Sequence, residues 1–400
     1  MNIDVPRHIV SLDKILPSEP LLMMGAGPVP IPHRVAQANS IVINHVGQTM
    51  SQIIEQVKDM SRYVFQTHSR HILGVAGPGS AAMEMAIVNL IEPGSTIVSI
   101  CNGFFSSRLA EMAERINAQV ERINVPDGQP VDLAVVAAYL EKHQPKTLTM
   151  VQGETSSTVY NGNIRQICEL AKQYNTQVIV DAVCTLSTMP LKMDKWGVDA
   201  VITGGQKGLA SIPGVSLVAF STNAWERIES RPDRLHHWCL DAKLADQFWN
   251  KKSYHYTAPV SGILALHEAL RLICHETLRV RFERHLRCSK ALQAGIEALG
   301  LELFIPEEIR LNSVVGIVVP NGVDSAALLD NMRRRYRVEI SGSFGPPIVR
   351  IGQMGEQSRS HNLFRTLHAL GSSIKTMGVN VDVPGGVAKL ESTLESFEQD

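Results

Sequence analysis

Apolar residues in this chain gather in short runs that alternate with stretches of helical spacing. The runs fall near Ile72–Val75, Thr96–Ile100, Gln119–Ile123, Thr147–Val151, Val178–Val180, Ala200–Thr203 and Ser216–Phe220. Between them, segments 80–91, 105–117, 131–143 and 163–174 carry apolar positions three and four apart. Segment 50–65 does the same through Ile53, Ile54, Val57, Met60 and Val64. Such alternation predicts an α/β domain whose seven-stranded, mostly parallel sheet is covered on both faces. The pattern changes near residue 260. A long helical stretch runs to 298, then strand-like 314–319, a helix near 324–335, a strand at 337–341, a Gly/Pro turn and a helix at 357–377. This predicts a smaller α+β domain. At the other end, Pro6, Pro17 and Pro20 break residues 1–20 into an irregular arm. The run Leu21–Met24 then stops at Gly25-Ala26-Gly27-Pro28, a turn. The expected organisation is an arm (1–20), a large domain (21–275) and a small C-terminal domain (276–400).

Composition narrows the function. With 400 residues, 44% of them hydrophobic, the chain can build one large and one smaller core. The formal net charge of −1 provides no global field for nucleic acid or an acidic membrane surface. The one dense basic run, Arg333 to Arg337 around Tyr336, follows an amphipathic pattern and reads as a solvated helix end rather than a nucleic-acid patch. The six cysteines are scattered without a CxxC pair, against a disulfide framework or a metal site and in keeping with a reducing cytoplasm. The N-terminus lacks the apolar stretch of a secretory signal, and no run approaches the ~18 apolar residues of a membrane span.

In open α/β sheets, ligands lie beyond the carboxyl ends of the strands. Two strand ends stand out. Val178-Ile179-Val180 ends in Asp181, and Ala200–Thr203 ends in Gly204-Gly205-Gln206-Lys207. A lysine at a strand end is ordinarily a solvated surface residue. Here glycines on both sides allow close backbone approach to a ligand, and the neighbours are nearly uncharged. Asp181 could merely cap the next segment. Its place after a buried-looking strand, before Ala182-Val183, favours a buried carboxylate in need of a cation. Together they are what pyridoxal phosphate requires: an amine to condense with its aldehyde and a carboxylate to keep its pyridine nitrogen protonated.

The other strand ends supply candidates of the same kind. Gly77-Pro78-Gly79-Ser80 precedes a helix, where backbone N–H groups and the Ser80 hydroxyl suit a phosphate; alone the motif is weak. Phe105, after Asn102-Gly103, is placed to stack on a pyridine ring, and Val183 to pack on a ring face. Ser156, which could equally cap a turn, is a candidate donor to the ring hydroxyl or the phosphate. Arg350 sits in the apolar run Ile348–Gly352, where a buried guanidinium needs an anion. Its planar fork matches a substrate carboxylate, with an internal ion pair as the competing reading.

These residues carry a family resemblance. The chain resembles the class V, fold-type I pyridoxal-phosphate aminotransferases of the alanine–glyoxylate and serine–pyruvate group over about residues 20 to 380. The matching stretches are GAGPVPIP at 25–32, YVFQT at 63–67, EPGS at 92–95, NG at 102–103, QGETSS at 152–157, VDAV at 180–183, GGQKG at 204–208, SYHYTAPV at 253–260 and VRIGQMG at 349–355. The resemblance implies ping-pong transfer of an amino group from a small amino acid to a 2-oxo acid such as glyoxylate or pyruvate. It also implies a homodimer in which Tyr254 and Thr257 reach the cofactor phosphate of the neighbouring subunit. Gln206 matches a phosphate contact, Arg350 the carboxylate anchor, and Gly27 a glycine of the substrate pocket. Three departures stand out. Phe105 replaces a frequent Trp. Pro78 replaces a Ser and can only pack. Asn44-His45 falls where alanine–glyoxylate enzymes carry small residues and ureidoglycine-type relatives a larger polar one, so ureidoglycine or pyridoxamine is the alternative donor. A cysteine desulfurase or other lyase, and a non-catalytic protein of the same fold, are more distant alternatives. A desulfurase would need a mobile cysteine later than Cys288, the last in this chain.

Overall fold

The computed structural model describes residues 8–399. Seven strands form the central sheet: β1 (Ile72–Ala76), β2 (Thr96–Cys101), β3 (Gln119–Asn124), β4 (Thr147–Val151), β5 (Gln177–Asp181), β6 (Ala200–Gly204) and β7 (Val215–Phe220). Their spatial order is β1-β7-β6-β5-β4-β2-β3. β7 runs antiparallel to β1 and β6, and the other pairings are parallel. β4 and β6 are buried along their whole length. Helices cover both faces, which is why these strands read as near-continuous apolar runs.

The helices that matter for the site are α1 (Gln48–Phe65), α2 (Gly79–Leu90), α3 (Phe104–Arg115), α4 (Leu133–His143) and α5 (Ile164–Gln173). Two more, α6 (Val260–Glu276) and α7 (Leu278–Ala298), form the stretch expected as one long helix. The break is at Thr277, whose φ of 68° cannot continue a helix and whose hydroxyl accepts from Val280 N to cap α7. Leu278 still packs on the large core, while Cys288, Ala291 and Leu292 pack in a second one.

That second core lies between α7, α8 (Ser360–Thr376), α9 (Val383–Gln399) and a three-stranded antiparallel sheet. The sheet is β8 (Val314–Val318), β9 (Ser341–Gly342) and β10 (Ile348–Gly352), in the order β8-β10-β9. The single strand expected at 337–341 is two short pieces. Val338–Glu339 pairs in parallel with Leu22–Met23, and β9 pairs with β10. Leu22 and Met24 therefore pack into the second core although they precede the large domain in sequence. The expected helix near 324–335 is helical over Ser325–Asn331 and widens over Met332–Tyr336. Arg333 and Arg334 at its end pair with exposed Asp330. Of the expected N-terminal arm, residues 1–7 lie outside the described residues. Residues 8–20 are exposed, with one helical turn at Leu12–Ile15.

Candidate active site

β5 and β6 are parallel neighbours, with Asp181 opposite Ile202. The turn after β6 therefore lifts Lys207 beside Asp181 at the carboxyl edge of the sheet. The first turn of α2 packs directly on these strand ends. A Cβ on Gly79 would lie 2.9 Å from Val183 Cγ2, and one on Gly204 would lie 3.2 Å from the Gly79 backbone. The GAGP turn closes the other side. Ala26 O accepts from Lys207 Nζ, and Val29 N donates to Gln206 O at 3.1 Å. Gly27, with φ +109°, would be strained by any side chain, and its Cβ would stand 2.6 Å from Lys207 Nζ and push the lysine aside.

The result is a cavity of about 140 Å³ that Gly79, Ser80, Phe105, Asp181, Gln206 and Lys207 all line. Val183 lines it too. The Asp181 carboxylate accepts from Val183 N at 2.7 Å, and burial raises its pKa from 3.8 to about 7. Burial also lowers the pKa of Lys207; Arg350 lowers it further, while Cys184 and Asp181 act the other way. A depressed lysine keeps more of its amine neutral and nucleophilic near neutral pH.

Arg350 is 4% exposed on β10. Its Nε donates to Gly342 O at 2.8 Å and one Nη to Thr155 O at 2.7 Å, next to the cavity wall that Thr155 forms. Burial lowers its pKa, and Glu154 opposes the shift. Its guanidinium carbon lies 5.5 Å from the Phe344 ring centroid. Phe344 stacks on Phe104 at 4.9 Å, and both rings are exposed.

Arg108, Met83 and Cys184 carried no signal at a strand end, whereas Gly153, Glu154 and Thr155 follow the end of β4, where ligand contacts are expected. Glu154, fully buried, accepts from Phe105 N, Ser106 N and Ser156 N, and so holds the N-terminus of α3 and aims Phe105. Arg108, one helical turn beyond Phe104, lines the cavity; the i, i+4 spacing was the available signal. Met83, Gly153, Thr155 and Cys184 line it as well. Burial pushes the Cys184 thiol up to about 12, far from a reactive thiolate.

Not every expected residue meets the cavity within one chain. Ser156 lies just behind it, its hydroxyl donating to Glu154 at 2.6 Å and accepting from Phe104 N at 2.9 Å. Pro78 is the exposed N-cap of α2 and forms no side-chain cap. Tyr254, 60% exposed, meets His45 edge-on at 5.8 Å. Thr257 and Asn44 are exposed nearby in sequence, and none of these four lines the Lys207 cavity.

The residues present fit pyridoxal phosphate. Asp181 is a buried carboxylate whose raised pKa marks the want of a cation, which a pyridinium would supply. Gln206 lines the same cavity, where its side-chain amide N–H can donate to an anion. The first turn of α2 with Ser80 offers phosphate donors, and Phe105 an aromatic face.

This sheet order, with a buried Asp and an enclosed Lys at adjacent strand ends, defines a pyridoxal-phosphate enzyme of fold type I. The Aminotransferase class-V profile matches residues 32–350. Alanine–glyoxylate aminotransferase of Drosophila melanogaster is 35% identical over 389 residues, covering 94% of this chain and 98% of that protein. The Bacillus subtilis ureidoglycine–glyoxylate aminotransferase structure superposes with a TM-score of 0.92 at 29% identity, covering 95% of this chain and 99% of its own. The pyridoxamine–pyruvate aminotransferase structure from Mesorhizobium loti gives 0.89 at 25%, covering 94% and 98%. The chain belongs to the class V aminotransferases: it is a pyridoxal-phosphate-dependent transaminase that moves amino groups to 2-oxo acids.

Proposed function

We propose that the amino donor is a small neutral amino acid, alanine or serine, and that the acceptor is a short 2-oxo acid, glyoxylate or pyruvate, in a ping-pong cycle. Arg350 carries this reading. It is a buried guanidinium beside a cavity of about 140 Å³, one carboxylate anchor next to limited room for a side chain. The Drosophila relative bears the corresponding name. Ureidoglycine and pyridoxamine remain the second reading, favoured by the B. subtilis and M. loti relatives and by the polar Asn44-His45 pair.

The chemistry divides among the chain's own side chains. Bound pyridoxal phosphate would supply an aldehyde for Lys207 and a protonated ring that takes up electron density as the substrate loses its Cα proton. Asp181 would pair with that ring nitrogen and favour its protonated form. Lys207 Nζ would hold the substrate Cα proton as a base and then give it up as an acid. Arg350 holds the carboxylate through both half-reactions. Gly79, Ser80 and Gln206 would hold the phosphate, and Phe105 and Val183 would face the ring. Gly27 leaves room for the lysine stem, and Ser156 acts from behind the Phe105 turn.

The active site is shared in a homodimer. Tyr254, Thr257, Asn44 and His45 of one protomer complete the cavity of its partner, and Pro78 packs beside the phosphate. Support comes from the exposure of Tyr254, which meets His45, and of Ile41, Val42 and Val46 beside Asn44 and His45 in the chain, residues absent from their own chain's cavity. The two hydrophobic cores support a large and a small domain that divide close to 275/276, the change of core falling between Leu278 and Cys288. Six free cysteines favour a reducing, cytoplasmic setting. No helix among the described residues is long and apolar enough to cross a membrane.

Half-reactions of the Arg350→Ala variant separate the donors. An amino acid needs the arginine for its carboxylate, so its KM rises; pyridoxamine has no carboxylate, so its KM is unchanged. Conversion of wild type by pyridoxamine alone would replace the first reading with the second.

A further inference from the structure

Of the residues lining the cavity, Lys207 and Arg108 are the cations. Lys207 is committed to the cofactor aldehyde under the reading above. The phosphate, a dianion, is then left with neutral donors on α2 and with Arg108. Arg108 is half-buried on α3 and donates from Nη1 to Ser80 Oγ at 2.9 Å. Its guanidinium carbon lies 4.9 Å from the Phe105 ring centroid and 5.0 Å from that of Phe104.

That hydrogen bond has a directional consequence. A guanidinium carries only donors, so Ser80 must accept. The Ser80 hydroxyl proton cannot then point at Arg108 and is free for an acceptor in the cavity. Accepting from a cation also polarises the hydroxyl and makes it a stronger donor. Pro78 contributes neither an N–H nor a capping oxygen at the start of α2, so more of the phosphate binding falls on Ser80 than a serine at 78 would leave to it.

We propose that Arg108 is a positioning residue for the cofactor phosphate: it orients the Ser80 hydroxyl as a donor and places a fixed positive charge beside the dianion. The inference rests on the pyridoxal-phosphate reading of this cavity. It is specific to the phosphate, and this separates it from a packing role through Phe105, which would act on the ring.

The test titrates apoprotein with pyridoxal phosphate and with pyridoxal, following the visible band of the lysine-bound cofactor and protein fluorescence. Arg108→Gln, Arg108→Lys, Ser80→Ala and the Arg108→Gln/Ser80→Ala pair are compared with wild type. Arg108→Gln is expected to raise the Kd for pyridoxal phosphate by about tenfold or more, as for loss of a charge-assisted hydrogen bond, and to leave the Kd for pyridoxal within about twofold. Arg108→Lys, which keeps the charge, falls between the two. The double variant binds more tightly than the product of the two single effects requires, because Arg108 acts partly through Ser80. Equal weakening toward both ligands, or none, overturns the proposal. Failure of wild type to form the visible band, or its persistence in Lys207→Ala, overturns the cofactor reading itself.

Discussion

Replacing Asp181 with Asn should stabilise the apoprotein and cripple the enzyme. Without the cofactor, Asp181 is 6% exposed, accepts one backbone N–H, and has a pKa raised from 3.8 to about 7, chiefly by burial. A folded-state pKa above the unfolded one means the folded form holds its proton more tightly. Below about pH 3.8 both forms are protonated and the group adds no pH dependence. As pH rises toward 7 the unfolded chain sheds the proton and the folded one retains it, so apoprotein stability falls. At ~1.4 kcal/mol per unit, a difference of about three units amounts to ~4 kcal/mol above neutral pH. Asn keeps the acceptor for Val183 N and removes the ionisation. Apo Asp181→Asn should therefore be the more stable protein at about pH 8, and half of that advantage, ~2 kcal/mol, should develop between about pH 5.5 and pH 7. With unfolding entropy of ~2 cal/mol/K per residue over 400 residues, ~4 kcal/mol corresponds to ~5 °C in Tm. Pyridoxal phosphate should reverse the order, because the pyridinium gives the wild-type carboxylate its partner and the amide cannot replace that charge. Differential scanning calorimetry of apo and loaded forms across this pH range is the assay. A variant whose Tm difference from wild type is the same at every pH would refute the reasoning.

Other perturbations probe the rest of the site. Arg350→Ala should raise the KM for a 2-oxo acid by about 10- to 100-fold, the range for losing a hydrogen bond to a charged group, and should also lower Tm, because Thr155 O and Gly342 O lose their donor. Steady-state kinetics beside a melting curve reads both. Gly27→Ala should slow formation of the visible band with the large core intact, since its Cβ would stand 2.6 Å from Lys207 Nζ at a φ of +109°; stopped-flow absorbance checks it. Co-expressing Lys207→Ala with a Tyr254→Ala/Thr257→Ala chain should restore activity in the mixed dimer, where one cavity has all its parts. No recovery in a purified heterodimer would place those two residues outside the shared site.

The sheet of the large domain was legible because six of its strands are almost wholly buried and read as apolar runs bounded by turns; β3, at the sheet edge, is only partly buried. Each observed strand lies within a residue or two of its expected span. The break at Thr277 was not legible: apolar periodicity continues through it, and only a φ of 68° ends the helix. The strand expected at 337–341 was likewise divided by its partners, since pairing with Leu22–Met23 and with β10 is set by segments far away in sequence. Asp181, Lys207, Gly79 and Phe105 could be found because strand ends converge in any such sheet. Arg108 could not be found by that rule, because it lies one turn into α3 rather than at a strand end; Glu154 follows the end of β4, but nothing local shows that its carboxylate turns to the N-terminus of α3. Tyr254 and Asn44 carry no local signal of reaching a cofactor, and their place came only from resemblance.

The most direct test is single-turnover spectroscopy of the pyridoxal-phosphate-loaded protein. Alanine, serine, glycine, aspartate, ureidoglycine and pyridoxamine would each be added in turn, followed by glyoxylate or pyruvate. The account predicts that alanine or serine discharges the visible band, that a 2-oxo acid restores it, and that Lys207→Ala binds the cofactor yet shows neither change. A wild-type spectrum unmoved by every amine, or a Lys207→Ala protein that still completes both halves, would contradict it.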